Sequence, residues 1–172
     1  MIKDSGDRTE FSSGAVRDRK GGNGRCDLLP LKIIDEIYMG DPCEVFLALD
    51  ELRQTGDISH IVDAINYFCE GESNAPVKWL NYPGAFPDME TAILELAIHF
   101  EEGAQKYEAR NWEKGIPISS FVSSGIRHYL KYMRGDTDER HDRAFLWNMV
   151  CLLWTLENHP EMNDFTIRES KP

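Results

Sequence analysis

Apolar side chains recur along most of this chain at the spacing of an α-helix, about 3.6 residues per turn. Glycine and proline stops divide the pattern into helix-sized segments, and no segment alternates in the way typical of a half-buried strand. The last segment, over about residues 138–157, contains the run AFLWNMVCLLWTL, whose wide apolar surface predicts a position at the centre of a helical bundle. The pattern therefore predicts an all-α fold.

Further helices are predicted upstream of that segment. They are expected over about residues 28–39, 41–55, 59–70, 89–108 and 118–134. In the fourth of these, helical spacing predicts an inner face formed by Leu94, Ala97, Ile98 and Ala104.

The organisation of the chain follows from these segments. Residues 1–27 are polar, basic and rich in glycine, and are expected to form a flexible arm without regular structure. Residues 28–160 are predicted to form a single all-α domain, within which residues 38–88 are accessory helices. Residues 161–172 are expected to form a C-terminal tail.

The formal net charge of −11 argues against a nucleic-acid polymer as partner, because such proteins generally carry a basic surface. Excess carboxylate is still compatible with a small anionic substrate when divalent metal ions bridge the two. No apolar run approaches the roughly 20 residues that span a bilayer, and the first residues lack the apolar stretch of a signal peptide. The four widely spaced cysteines are expected to be reduced thiols. These features predict a cytoplasmic protein that does not bind membranes.

Carboxylates on the fourth predicted helix indicate one place where chemistry could occur. Glu101 follows Leu94 by seven residues and Ile98 by three, so helical spacing places it on the predicted inner face. Glu102 lies next to that face and shares its helical register with Glu95. A buried carboxylate needs a cation, a hydrogen-bond network or a raised pKa.

Acids recur at the start of the last predicted helix, in GDTDERHDRAFLWN. Asp138 and Asp142 precede Phe145 on one helical face. Glu139 and Asp142 form an ExxD step, with His141 between them, and this spacing lets two carboxylates share divalent ions. Inward acids on two helices are how carboxylate metal centres are built in bundle cores, so the sequence predicts a metal site.

Simpler interpretations of these acids remain open. Acids in the first turn of a helix are stabilised by the helix dipole, and Asp136 with Glu139 also fits a capping box. Glu101 and Glu102 could form a solvated face that pairs with nearby basic residues. An HD-type phosphohydrolase is a minor alternative based on His141 and Asp142. We expect no matching arrangement from the other histidines, which are His60, His99, His128 and His159.

Basic and aromatic residues are candidate contacts for a nucleotide. The basic side chains of the arm suit phosphate oxygens if the arm folds over a site. Arg127 and Lys131 lie four residues apart on one helix face and could hold a polyphosphate or pair with acids. Trp112 could stack on a base or pack beneath its loop.

Several ordered blocks of this sequence resemble one family. The segments GAVRDRKGGNGRCDLLP, HFEEGAQKYEARNWEKGIP, SSGIRHYLKYMRGD and DERHDRAFLWN are similar to the dATP/dGTP diphosphohydrolases of phages and bacteria. These belong with the all-α, MazG-like nucleoside triphosphate pyrophosphohydrolases, and the resemblance covers about residues 14–30 and 92–155. It implies a helical bundle, a homo-oligomer (dimer or tetramer), and two or more Mg²⁺ or Mn²⁺ ions per site, held by acids of two helices.

Carried onto this chain, the resemblance implies metal ligation by Glu101, Glu102, Asp138, Glu139 and Asp142. Glu101 and Glu139 are the expected catalytic acids, and His141 belongs to the second acidic block. The wider superfamily favours EExxE on the first metal helix, whereas Gln105 takes the last position here, which makes Glu95 the candidate to complete the set. Substrate contacts are expected from Arg17, Lys20, Arg25, Lys106, Asn111, Trp112, Arg127 and Lys131.

The implied function is the hydrolysis of dATP or dGTP to the monophosphate and pyrophosphate, which would control deoxynucleotide pools in the host cytoplasm if the protein is phage-encoded. Two alternatives remain open. One is a non-enzymatic helical interaction protein whose inward acids pair with arginine. The other is the same chemistry on dCTP, dUTP or a modified nucleotide, because base specificity depends on a few pocket contacts.

Overall fold

The computed structural model describes residues 8–18, 28–29, 44–70 and 85–165. Helices dominate these residues, which confirms the all-α class. The elements are β1 (Arg8–Glu10), β2 (Val16–Asp18), α1 (Glu44–Thr55), α2 (Ser59–Glu70), α3 (Met89–Lys106), α4 (Ile118–Arg134) and α5 (His141–Asn158), with short 3₁₀ turns at Asn111–Lys114 and Pro160–Met162. The helix predicted over residues 28–39 lies almost wholly outside the described ranges. No described helix has the length and apolar character that crossing a membrane requires.

The chain divides into two compact units. One comprises residues 1–28 and 95–164, and the other comprises residues 29–94 and 165–172. The second unit includes the whole of residues 38–88, the stretch that the sequence sets apart as accessory. The described part of the predicted arm groups instead with the unit that contains α4 and α5.

In the second unit, α1 and α2 form as the apolar spacing predicts. Phe46 and Leu49 of α1 and Phe68 of α2 are fully buried, and each such side chain contributes roughly 1.5–3 kcal/mol through burial. α1 is followed by Gly56, whose positive φ of 78° suits glycine and whose N–H donates to the Leu52 carbonyl. These two helices confirm the predictions over residues 41–55 and 59–70 within the residues described.

In the first unit, α4 and α5 form the hydrophobic core. Phe121 and Ile126 of α4 and Phe145 of α5 are fully buried. Gly125 allows a close approach, because a Cβ there would lie 2.5 Å from the Met149 Cε atom. α4 has the predicted bounds, whereas α5 begins three residues later than the predicted start at residue 138. Asp138 and Glu139 therefore lie in the preceding loop, and the prediction that they belong to the helix is wrong.

Residues 8–18 form an antiparallel pair of strands, in which Arg8 faces Asp18 and Glu10 faces Val16. The Asn111 side chain fixes this pair, because its Oδ1 atom accepts from the Val16 N–H at 3.0 Å and its Nδ2 atom donates to the Val16 carbonyl at 2.8 Å. The prediction of an arm without regular structure is wrong for these residues. Strands of three residues carry too little pattern to detect, and a partner about 95 residues away holds them.

The orientation of α3 differs from the prediction. Leu94 is 67% exposed and Ile98 is 42% exposed, and Ala97 is exposed as well. The prediction that these residues face inward is wrong, and Glu101 lies on the exposed face with them. The buried side of α3 instead includes Ala92 and His99, and the acids on that side pair with arginines of the first unit, as described below.

Candidate functional site

The first unit contains a cavity of about 790 Å³. Its walls come from β2, α3, the Asn111–Lys114 turn, α4, the loop before α5, and α5 itself. The charged side chains that line it are Arg17, Glu101, Glu102, Lys106, Glu108, Arg110, Glu113, Arg127, Lys131, Asp138, Glu139, Arg140 and Arg143. A cavity of this size and polarity can enclose a small, highly charged ligand.

Most of the predicted site residues that the structure describes meet at this cavity. The predicted metal ligands among its lining residues are Glu101, Glu102, Asp138 and Glu139. The predicted substrate contacts among them are Arg17, Lys106, Asn111, Trp112, Arg127 and Lys131. Asp142 is not part of the lining, and Lys20 and Arg25 lie outside the described residues.

A buried arginine holds the acids of α3. Arg143 has a side chain only 6% exposed, and its Nη2 atom lies 2.9 Å from Glu102 Oε1 while its Nη1 atom lies 3.4 Å from Glu95 Oε2. Burial by itself raises the pKa of Glu102, but the charge of Arg143 opposes this effect, and the pKa lies below its ordinary value. Glu102 is therefore an ionised carboxylate whose position is fixed by a cation from α5.

A second arginine holds Asp142. The Arg140 Nε and Nη2 atoms donate to the two carboxylate oxygens of Asp142 at 3.1 and 2.8 Å, and Arg140 Nη1 lies 3.2 Å from Glu95 Oε2. Two predicted metal ligands, Glu102 and Asp142, thus pair with arginine in this structure. Such pairing is what the interaction-protein alternative predicts.

Two histidines meet beside the remaining acids. The Nδ1 atoms of His128 on α4 and His141 on α5 are 2.9 Å apart. Glu139 Oε2 lies 3.9 Å from the first nitrogen and 4.0 Å from the second. On its other side, His141 Nε2 lies 2.8 Å from Asp138 Oδ1, and Lys131 Nζ donates to Asp138 Oδ2 at 3.1 Å. The hydrogen bond from His141, together with Lys131, holds the pKa of Asp138 well below its usual range.

The imidazoles of His99 and His128 are uncharged at neutral pH. Burial, reinforced by the charge of Arg127, lowers the pKa of His128 from 6.5 to about 2. Burial and Arg143 lower the pKa of His99, which lines the same cavity, to about 4.

Sequence spacing groups no other histidine with His141, yet the structure brings His128 next to it. Residue 128 lies seven positions before Gly135 and residue 141 lies six positions after it, so a tight turn between antiparallel helices brings the two rings together. The near symmetry about this glycine was the signal that could have revealed the pair. Gly135 has a φ of 82° and ends α4 with hydrogen bonds to the Lys131 and Tyr132 carbonyls.

The predicted substrate contacts have structural partners of their own. Arg17 donates to Asn148 Oδ1 at 2.5 Å, and its guanidinium lies over the Phe121 and Trp147 rings at 5.3 and 5.6 Å. Trp112 packs against Trp154 with ring centroids 4.8 Å apart. Trp112 therefore belongs to an aromatic cluster as well as to the cavity wall.

Two groups of side chains in the described part of the chain could hold a metal ion. One is His128, Glu139 and His141, and the other is Asp136, Asp138 and His141. Among the described residues, no such group joins Glu101 or Glu102 to Glu139 or Asp142. Four of the five predicted acids line one cavity, yet they do not converge on a single metal site; these are Glu101, Glu102, Asp138 and Glu139.

One helical unit thus surrounds a single cavity with acidic, basic and histidine side chains. The family described as "dATP/dGTP diphosphohydrolase, N-terminal" matches residues 72–165, which is more than half of the chain. The chain belongs to this dATP/dGTP diphosphohydrolase family. The family's name implies a diphosphohydrolase, and the matched range includes α3, α4 and α5 but not residues 14–30. No curated protein and no solved structure matches this chain.

Proposed function

We propose that this protein hydrolyses dATP or dGTP to the monophosphate and pyrophosphate in a reaction that depends on divalent metal ions. The observation that carries the proposal is the cavity of the first unit, which lies within the family match except for its β2 wall. Its volume of about 790 Å³ falls in the range of roughly 300–1,000 Å³ that encloses small ligands. Both acidic and basic side chains line it, which suits a polyphosphate with bound metal ions.

The phosphate groups would contact the basic wall of the cavity. We propose that the phosphate charge is neutralised by Lys106, Arg127 and Lys131. Arg17, which Asn148 holds in place, is proposed to take part as well. Lys131 now pairs with Asp138, so a bound phosphate would compete with that carboxylate. Lys20 and Arg25 keep the same proposed role from the sequence.

The metal ions would be Mg²⁺ or Mn²⁺, two or more per site, held by the acids that the family resemblance implies. When bound, such ions neutralise phosphate charge and lower the pKa of a coordinated water. Asp138 and Glu139 fit this role, because they lie beside a histidine pair at the cavity wall. Glu102 and Asp142 fit less well, because each would exchange an arginine for the ion. Glu101 and Glu139 remain the proposed catalytic acids.

Recognition of the purine base is proposed for Trp112, whose ring lines the cavity. Asn111 is also a predicted substrate contact, but its amide is bound to Val16 through both its oxygen and its nitrogen. Base contacts from Asn111 would therefore use only its remaining hydrogen-bonding capacity. A cytoplasmic location stays a prediction from the sequence.

A helical interaction protein is the second candidate, and two observations favour it. The arginine pairs of Glu102 and Asp142 satisfy those acids without a metal. Ile93, Leu94 and Ile98 are 58, 67 and 42% exposed on α3, which suits contact with another protein surface. The same apolar face supports the proposal that the protein forms a homo-oligomer. Both candidate functions are compatible with such an assembly.

Turnover assays separate the two candidates. Purified full-length protein is incubated with each deoxynucleoside triphosphate, with Mg²⁺, with Mn²⁺ or with neither, and the products are separated by chromatography. We expect metal-dependent formation of dAMP or dGMP with pyrophosphate, lost in Glu101→Gln and Glu139→Gln and retained in Asp63→Asn, a control on the exposed surface of α2. Turnover of dCTP or dUTP instead would indicate the same chemistry on a different substrate. No turnover with any metal would favour the interaction protein.

A further inference from the structure

We propose that His128, Glu139 and His141 form a metal site of the two-histidine, one-carboxylate type, which binds Mn²⁺ or Co²⁺ in preference to Mg²⁺. The inference deepens the proposed function and rests on it, because the ion would face the same cavity. It differs from the site implied by the family resemblance, in which the ligands are carboxylates alone.

The spacing of the three ligand atoms suits one ion. Metal bonds of about 2.0–2.2 Å to histidine and carboxylate place neighbouring ligand atoms roughly 3.0–3.5 Å apart. The two Nδ1 atoms are 2.9 Å apart, and Glu139 Oε2 lies 3.9 and 4.0 Å from them. The nitrogens already have the required separation, and a shift of about half an ångström by the carboxylate would complete the set.

The proton positions favour a ligand role for His141. Asp138 Oδ1 accepts from His141 Nε2 at 2.8 Å, so Nε2 carries a proton and Nδ1 is the nitrogen left to bind a metal ion. Nδ1 is also the atom that lies 2.9 Å from His128 Nδ1 and 4.0 Å from Glu139 Oε2. A histidine that donates its second N–H to a carboxylate is the usual arrangement around a bound metal. Lys131 fixes the same carboxylate through its other oxygen.

The position of the three side chains gives an ion both shelter and access. The His141 side chain is 1% exposed, that of His128 is 13% exposed, and that of Glu139 is 21% exposed. His128 and Glu139 also line the cavity, whereas His141 is not part of the lining. An ion held here would keep open positions on the cavity side, where a phosphate oxygen or water could bind.

The donor atoms determine which ions are preferred. Imidazole nitrogen suits first-row transition ions, whereas Mg²⁺ requires oxygen ligands in a nearly ideal octahedron. The alternative group at Asp136, Asp138 and His141 is weaker, because Asp136 is already bound by Arg134 and the Asp138 side chain is 47% exposed. The geometry thus favours one site with two nitrogen ligands.

The test measures metal binding without nucleotide, on the full chain. Co²⁺, Mn²⁺ and Mg²⁺ are titrated separately by calorimetry, and the visible absorption of Co²⁺ reports whether nitrogen ligands are present. We expect Co²⁺ and Mn²⁺ to bind at least about tenfold more tightly than Mg²⁺. We expect His128→Gln and Glu139→Gln each to weaken Co²⁺ binding by at least about tenfold and to change its spectrum.

The matched control is His99→Gln, a buried histidine on α3 that lines the same cavity but is not a proposed ligand. It should retain the Co²⁺ affinity and spectrum. Circular dichroism checks the fold of each variant, and Glu139→Gln, which changes a partly exposed side chain, keeps the test decisive if His128→Gln fails to fold. Unchanged Co²⁺ binding in Glu139→Gln, or tighter binding of Mg²⁺ than of Co²⁺, would overturn the proposed site.

Parallel turnover assays keep the two proposals apart. Co²⁺ binding that depends on Glu139 and His128, without hydrolysis of any nucleotide, supports the metal site and refutes the proposed function. Metal-dependent dGTP or dATP hydrolysis, with Co²⁺ binding unaffected by either substitution, supports the function and refutes this site.

Discussion

Replacement of Arg143 by methionine tests whether this buried arginine holds the wall of the cavity together. The side chain bridges Glu95 and Glu102 while only 6% exposed, so Arg143→Met leaves two carboxylates without that cation. Removing one partner of a fully buried ion pair costs about 3–5 kcal/mol. The two glutamates are 23 and 20% exposed, and partial solvation reduces the expected cost to about 2–4 kcal/mol.

Urea denaturation of the full chain measures this loss, and thermal melting should show a decrease in Tm of roughly 4–16 °C. The matched control is Arg134→Met, which removes an ion pair to Asp136 from the surface, where the Arg134 side chain is 71% exposed, and should change stability little. Equal effects of the two substitutions, or a loss below about 0.5 kcal/mol for Arg143→Met, would refute the argument.

The pH dependence of Arg143→Met provides a second check. The pKa of Glu102 is lower in the folded protein than in the unfolded chain, so its ionised form stabilises the fold above the ordinary glutamate pKa of about 4.3. This stabilisation is lost as the pH falls through the folded pKa. The difference in free energy of unfolding between wild type and Arg143→Met should therefore be largest near neutral pH and shrink below about pH 4.

Two further substitutions test the fold around the cavity. Asn111→Ala removes both hydrogen bonds to Val16 and should lower the free energy of unfolding by about 1–3 kcal/mol, with faster hydrogen exchange of the Val16 amide; unchanged exchange would contradict the anchoring role. Gly115→Ala should lower the free energy of unfolding, measured by urea denaturation, by about 1–3 kcal/mol, because φ is 94° and a Cβ would lie 3.2 Å from Met162. Gly103→Ala, on an open helix surface, should instead be neutral or stabilising, and the reverse order would refute the strain argument.

Local pattern is sufficient to predict the helices. The bounds of α4 agree with the prediction over residues 118–134, and α2 agrees with the prediction over 59–70, because apolar spacing and nearby stops act within a few residues of chain. The start of α5 was less predictable. Acids that suit the first turn of a helix also suit the loop before it, and the structure places Asp138 and Glu139 in that loop.

Helical spacing groups residues on a face but does not say which face is buried. The apolar face of α3, with Leu94 and Ile98, was predicted to face inward, and Glu101 with it. The structure turns the opposite face inward, because Arg143 and Arg140 on a distant part of the chain pair with its acids. Sequence pattern along α3 contains no information about those arginines.

The sequence by itself determined the all-α class, the main helix bounds of both units, and most of the charged residues that line the cavity. Only the tertiary structure decided which acids pair with arginine, that Asn111 anchors a strand, and that His128 meets His141 beside Glu139. The reason is physical. Helix formation depends on neighbours within one or two turns, whereas the chemistry of a carboxylate or an imidazole depends on charges and donors brought close by the fold.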